Sequence, residues 1–293
     1  MTKKAINFKR EREFGDHFNA AFGFIIQEIK PLGTAILYFV VPLLMLYAIS
    51  MTVYSIKAQE LTRTFAQTGT ADPLTPFTIM GSLLGYLGVA MFLSLISTTM
   101  LICTVYGYIR LYIKQGVATI SEVWAEISDK LFTCFFSLFL TGLVILGGTI
   151  LCVIPGIYLG VALCILPCIL IFEKKGFPEA FSRSMKLINT NWWATFGTLF
   201  IATVILYILV LLISVPNMLF GLKSLLVSLK SKDRLIMDYS IGFTIITTLT
   251  HLLTQLLMVV PIVIVAFIYF STVEKVEKPS LLDKIDQISN ANG

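Results

Sequence analysis

The chain has 293 residues, 57% of them hydrophobic and only 13% charged, with a formal net charge of +5. Its mean hydropathy is +0.87. Soluble domains carry about 45–50% apolar and about 25% charged residues, so this composition excludes a soluble enzyme, a disordered chain and a nucleic-acid-binding module, and points to an all-α polytopic membrane protein.

The first 30 residues are polar or amphipathic and hold no uninterrupted apolar core of a secretion signal. Phe14, Phe18, Phe22, Ile25 and Ile29 recur at helical spacing, with Asp16, His17, Asn19 and Glu28 between them. This spacing predicts an amphipathic helix that ends at Pro31. A bilayer core about 30 Å thick needs about 20 apolar residues per helix. The charge-free intervals predict six spans, at about 33–56, 77–108, 131–153, 157–173, 193–215 and 239–272. The membrane domain is then 31–274, between a cytoplasmic amphipathic segment at 1–30 and a polar tail at 275–293.

The third and fourth spans are separated by Pro155-Gly156, a turn dipeptide. Two further amphipathic patterns precede spans three and five. One is Ile120, Val123, Trp124 and Ile127, opposite Glu122, Glu126 and Asp129. The other is Phe177, Ala180, Phe181, Met185 and Ile188, opposite Arg183 and Lys186. The expected architecture is three hairpins, each preceded by a cytoplasmic interfacial helix. Leu219, Leu222, Leu225, Leu226 and Leu229 predict one more surface segment on the opposite side, and Lys57–Pro76 reads as a polar loop.

Lys and Arg set the orientation. With the N-terminus inside, the inner side collects the basic residues before Pro31, those from Arg110 to Lys130, those from Lys174 to Lys186 and those of the tail. The outer side keeps only Lys57, Arg63, Lys223, Lys230, Lys232 and Arg234. Both termini are therefore expected in the cytoplasm, in a cytoplasmic (inner) membrane.

The span centres carry no Asp, Glu, Lys or Arg, whereas ion pathways and intramembrane catalysts keep such groups in spite of their cost. No catalytic set, cofactor motif or metal site is expected. The chain has only two histidines, His17 and His251, and Cys164 and Cys168, four apart and joined at most by Cys152, read as packing filler. An interfacial lipid enzyme built on Asp16, His17, Glu28 or Glu173 has nothing in the sequence to bring those groups together.

One polar stripe stands out. Ser240, Thr244, Thr247, His251 and Gln255 recur at three- and four-residue steps on the last span, with Thr248 beside them. It reads either as one wall of a polar path or as interhelical hydrogen bonding. Pro261 is expected to bend this long helix. Gly81 with Gly85, Gly156 with Gly160, and Gly142, Gly147 and Gly148 mark sites of close helix approach.

A second constellation runs through IPGIYLGVALCILPCILIFEKKGFPEAFSRSMKLINTNWWATFG, from Ile154 to Gly197. Pro155 and Gly156 make an outer turn, and Glu173 with Lys174 and Lys175 stops the span. Arg183 and Lys186 face anionic headgroups, at about 1 kcal/mol each. Trp192 and Trp193 sit in the interfacial belt. With EFGDHFNAAFGFIIQEIKPL at the start and YFSTVEKVEKPSLLDKI at the end, this pattern resembles a family of bacterial six-span proteins of unknown function, similar to the membrane domain fused to some glycerophosphodiester phosphodiesterases. The soluble phosphodiesterase barrel has no counterpart here, so the resemblance implies no catalytic residue. The function expected is a non-catalytic membrane module or accessory protein in envelope or lipid homeostasis. Its partners would be membrane lipids and a further protein, not nucleic acid. The alternative is a transporter or flippase for a lipid-like or small apolar solute.

Overall fold

The computed structural model describes residues 6–68, 75–116, 118–231 and 241–278. The described residues form helices and connections, without strands. In chain order these are α1 (Phe14–Gln27), α2 (Ile29–Phe39), α3 (Val41–Thr68), α4 (Thr75–Gln115) and α5 (Ile120–Ile127), followed by a single 3-10 turn at Ser128–Lys130. Then come α6 (Leu131–Leu151), α7 (Val153–Ala162), α8 (Leu166–Phe172), α9 (Phe177–Asn189), α10 (Trp192–Ser231), α11 (Ile241–Leu257) and α12 (Val259–Glu277).

Six segments are long and apolar enough to cross a membrane: Val41–Glu60, Met80–Gln115, Ile120–Leu151, Val153–Phe172, Trp192–Lys223 and Gly242–Glu277. The protein thus has the make-up of a multi-pass membrane protein. The first segment differs from the expected 33–56. Residues up to Phe39 belong to α2, which bends by 76° from α1, and Pro42 opens α3 within its first turn, where a missing N–H costs nothing. Pro31 likewise sits in the first turn of α2 instead of ending a helix. The stretch read as a separate outer segment continues α10 without interruption to Ser231, and α3 runs to Thr68, into the stretch read as a polar loop, of which 69–74 lie outside the described residues.

Proline places two interruptions. Pro167 cannot bond back to Leu163, so α7 stops at Ala162, and the Leu166 N–H bonds to the Leu163 carbonyl across 3.1 Å instead. Pro261 leaves Leu257 unbonded in the same way, and the break falls at Met258.

The helices form two compact units. Unit 1 holds residues 1–39, 99–205 and 259–293; unit 2 holds 40–98 and 206–258. In unit 1, α1 packs along α12 and α9 along α7 and α8. Phe8, from the segment before α1, stacks on Phe267 with centroids 4.5 Å apart and meets Phe24 edge-on at 5.2 Å. Such pairs add about 0.5–1.5 kcal/mol each beyond burial. α8 is almost wholly inside: every residue from Leu166 to Ile171 is buried, and Phe172 is half-buried.

α1 corrects the expected faces. Its buried line is His17, Ala21 and Phe24, continued by Glu28, while Phe14, Ile26 and Ile29 are exposed. Apolar side chains facing outward lose nothing where the surroundings are lipid, whereas His17 and Glu28 need protein partners. The Glu28 carboxylate accepts from the Tyr108 hydroxyl at 2.7 Å and from Gln27 Nε2 at 3.3 Å. In unit 2, α11 packs on α3, and the Thr52 and Thr248 hydroxyls meet at 2.8 Å.

A tied helical layer as candidate functional site

α9 lies antiparallel along α7 and α8. The Ser184 hydroxyl donates to the Ala162 carbonyl at 2.7 Å, and five residues on, Asn189 Oδ1 accepts from the Tyr158 hydroxyl at 2.7 Å. The residues that α9 buries are Ala180, Ser184, Leu187 and Ile188, a face at three- and four-residue steps. Pro178 in the first turn and Gly176 before it start this helix cleanly.

The layer is pinned to α12 by charge. The Arg183 guanidinium bonds to Glu173 through Nε at 2.5 Å and to Glu277 through both terminal nitrogens at 2.8 and 3.1 Å. Tyr269 donates to Glu173 at 2.9 Å and Lys175 pairs with it at 3.0 Å. Burial alone would raise the Glu173 carboxyl; the hydrogen bonds from Arg183, Lys175 and Tyr269 outweigh it and hold the group below its ordinary value. Glu277 pushes Arg183 upward against the cost of burial, and Glu173 adds to the rise. A second pair, Arg110 with Glu126 at 2.5 Å, joins α4 to α5, and Arg110 also donates to the Ile171 carbonyl at 2.9 Å.

Farther along, Lys275 donates to Asn191 Oδ1 at 3.0 Å. Arg183 and Asn191, just past the end of α9, are separated by about 12 Å of helical rise, yet their partners Glu277 and Lys275 lie only two residues apart, within one turn of α12. α9, and α7–α8 with it, therefore crosses the end of α12.

The chain turns at Cys152, in extended backbone, so Pro155 and Gly156 lie in the first turn of α7 instead of making the turn expected of them. Gly156 is buried, and a Cβ there would come within 2.9 Å of the Thr149 backbone, so α6 and α7 touch through this glycine, without Gly160 of the expected pair. Gly148, on α6, faces the same contact, with Gly156 Cα at 3.4 Å from its ideal Cβ. Gly81, Gly85, Gly142, Gly147 and Gly160 meet nothing within 4 Å. Trp192 stacks on Tyr158 at 5.8 Å and its Nε1 donates to the Tyr158 carbonyl at 3.4 Å. Ile154, Ile157 and Tyr158 share one open cleft of about 720 Å³ with Asn189–Ala194. Pro155-Gly156 and Trp192-Trp193 thus stand at one end of this layer. The sequence reading sets them at opposite membrane faces, and a bilayer core about 30 Å thick does not fit between groups in hydrogen-bond contact. Lys186 is exposed, and Trp193 is 78% exposed.

The polar stripe lies in unit 2. Thr247 donates to Asn217 at 3.2 Å and Gln255 to the Thr98 hydroxyl at 2.8 Å, while the Thr244 carbonyl accepts from Thr248. His251 stands edge-on to Tyr47 at 6.5 Å, and its Nε2 is buried without a partner. Ser240 lies outside the described residues. Among the described residues, no three of His, Cys, Asp or Glu come together as metal ligands, and Cys152 is exposed whereas Cys168 is buried.

The family described as a domain of unknown function, DUF7847, matches residues 24–275. The chain belongs to this family. No curated protein and no solved structure matches it. The DUF7847 match runs from the last turn of α1 to the last turn of α12, and so takes in the layer, its glycine contact and Arg183. Glu277 lies two residues past it.

Sequence reasoning missed Tyr158, Asn189 and Glu277. The exposed-looking hydroxyl of Tyr158 carries no periodic signal, and Glu277 reads as part of the tail.

Proposed function

We propose that the protein is a non-catalytic module of the bacterial inner membrane, with both termini cytoplasmic, that serves envelope or lipid homeostasis by presenting the α6–α9 layer along the inner membrane surface. The contact of Tyr158 with Asn189 carries this reading. Were α7–α8 to stand across the bilayer, its antiparallel neighbour α9 would take Lys186 into hydrocarbon, at a cost of several kcal/mol, while Arg183 stayed with Glu173 at the end of α8. Laid along the surface, the same pair keeps Lys186 among headgroups. The exposed apolar residues of the α6–α7 turn, Ile150, Leu151, Val153 and Ile154, then enter the acyl region from the inner side. The α6–α8 hairpin returns to the side from which it starts, so the positions of the termini are the same as with six crossings. The likeness of Ile154–Gly197 to the membrane domain fused to some glycerophosphodiester phosphodiesterases fits a module that works beside other proteins.

Cys152, exposed at the turn, tests the reading. In a protein whose other four cysteines are replaced by Ser or Ala, a membrane-impermeant maleimide does not label Cys152 in spheroplasts, although it labels the detergent-solubilised protein. Labelling in spheroplasts, with a control cysteine near Gln67 confirming access, sinks the proposal.

The alternative, a transporter or flippase for a lipid-like or small apolar solute, is favoured by the buried, partnerless Nε2 of His251. Replacing His251 and Gln255 with Leu abolishes flux if the stripe lines a path, and leaves flux intact if it only joins helices.

A further inference from the structure

A second, smaller cleft lies in unit 1, where α1, the start of α10 and the second half of α12 meet. Its volume is about 70 Å³. A water occupies about 30 Å³, so the space takes a group of a few heavy atoms. Arg12 and Lys275 both line it, and neither is paired with a carboxylate among the described residues. Arg12 lies over the Phe267 ring, 4.7 Å from its centroid, and its guanidinium is held by the backbone carbonyls of Asn7, Phe8 and Arg10. Lys275 is oriented by Asn191.

His17 enters the cleft from α1. It is only 8% exposed, and its Nδ1 is buried with no hydrogen-bond partner. Leaving such an atom unmatched costs about 1–3 kcal/mol. Thr195 and Thr272, buried residues of α10 and α12, also line the space, and among the described residues their hydroxyls make no hydrogen bond to protein. Ser271, by contrast, is engaged with the Arg12 backbone at 3.0 Å. No Asp or Glu is among the lining residues. The acid nearest in effect is Asp16, on the exposed side of α1.

Two cations, a buried imidazole nitrogen and two unengaged hydroxyls around a space of this size have one chemical complement. We propose that the cleft of Arg12, His17, Thr195, Thr272 and Lys275 binds a single phosphate-type oxyanion, carried by a phospholipid headgroup or present as free phosphate. The cations supply charge, the imidazole N–H and the hydroxyls supply direction, and oxygens accept from each. The site does not depend on how the α6–α8 hairpin meets the bilayer. Arg12 and His17 precede the family match, so the α1 wall of the cleft belongs to this chain's own N-terminal segment.

The test uses the full chain. In detergent stripped of lipid, inorganic phosphate is titrated against thermal unfolding. In parallel, native mass spectrometry compares retention of phosphatidic acid with that of diacylglycerol of the same acyl chains. A rise in melting temperature that saturates with phosphate assigns free phosphate. Selective retention of phosphatidic acid, without a response to inorganic phosphate, assigns the headgroup. Thr272→Val with Lys275→Gln weakens whichever binding is found at least tenfold, and Lys186→Gln, outside the cleft, leaves it unchanged. If neither ligand is bound selectively by the folded wild-type protein, or if the double variant binds as well as the wild type, the cleft holds water only and the proposal is overturned. Thr195→Val alone, the mildest change, decides the matter should the double variant not fold.

Discussion

The Tyr158 hydroxyl donates to Asn189 across 2.7 Å while Trp192 stacks on the same ring and bonds to its carbonyl. One side chain of α7 thereby holds both the end of α9 and the start of α10. Tyr158→Phe keeps the stacking and loses the hydroxyl bond, so it should lower stability by about 0.5–1.5 kcal/mol. Tyr158→Ala loses the aromatic contacts as well and should cost clearly more. Thermal unfolding of the two variants in the same detergent checks the order.

Arg183 joins Glu173 and Glu277. Fully buried pairs lose about 3–5 kcal/mol when one partner is removed, and exposed pairs about 0–1 kcal/mol. The side chains of Arg183 and Glu173 are 23% and 15% exposed, between those limits, so Arg183→Ala should destabilise by about 2 kcal/mol. Arg183→Lys restores the charge but cannot reach both carboxylates with a rigid fork, and should recover less than half. A denaturant series on the three proteins gives the comparison.

Acid should weaken unit 1 in two steps. The unfolded His17 takes up a proton near the ordinary histidine value of 6.5, and the folded residue only at about 4, because burial and then Arg12 lower it. Between those values the unfolded chain binds the extra proton, so stability falls as pH drops from about 6.5 to about 4. Glu173, lowered by its partners against the burial penalty, contributes stability above the ordinary carboxylate range that is lost as pH falls through its folded value. Melting temperature followed from pH 7 downward should fall throughout, and His17→Gln should flatten the upper part alone.

Much of this was open to reading from the residues. The apolar intervals located the six long segments, because lipid demands length and continuity. Gly156 marked a helix contact, although Pro155-Gly156 opens α7 instead of making the turn. The faces of α1 were not legible: periodicity finds a stripe, but in lipid the apolar stripe has no reason to turn inward, and His17 and Glu28 take the interior instead. The crossing of α9 over the end of α12 was equally hidden. It rests on bonds between residues far apart in sequence, such as Arg183 with Glu277, and no local pattern announces them.

The glycines divide in the same way. A methyl at Gly156 meets the Thr149 backbone at 2.9 Å, and one at Gly107 meets Ile127 Cγ2 at 2.5 Å. Gly156→Ala should be strongly destabilising because backbone must move. Gly107→Ala should be milder, since a side chain can yield. Gly81→Ala and Gly85→Ala, with nothing within 4 Å, should be neutral or slightly stabilising through helix propensity. Expression and melting temperature of the four variants test the ranking.

Gln255 reaches Thr98 at 2.8 Å. Gln255→Leu strands the Thr98 hydroxyl, and interhelical hydrogen bonds in membranes average about 0.6 kcal/mol. The double change Gln255→Leu with Thr98→Val should then cost no more than the single one. A double-mutant cycle measures the coupling directly.

Pro167 and Pro261 each end a hydrogen-bonded ladder: at Leu163 in one case and at Leu257 in the other. A ladder that is cut no longer opens as one piece. Amide protons of α7 and α8, and likewise of α11 and α12, should trade with solvent deuterium at separate rates. The slowest in the first pair should come from α8, every residue of which from Leu166 to Ile171 is buried. The two prolines thus partition long apolar stretches into blocks that breathe independently.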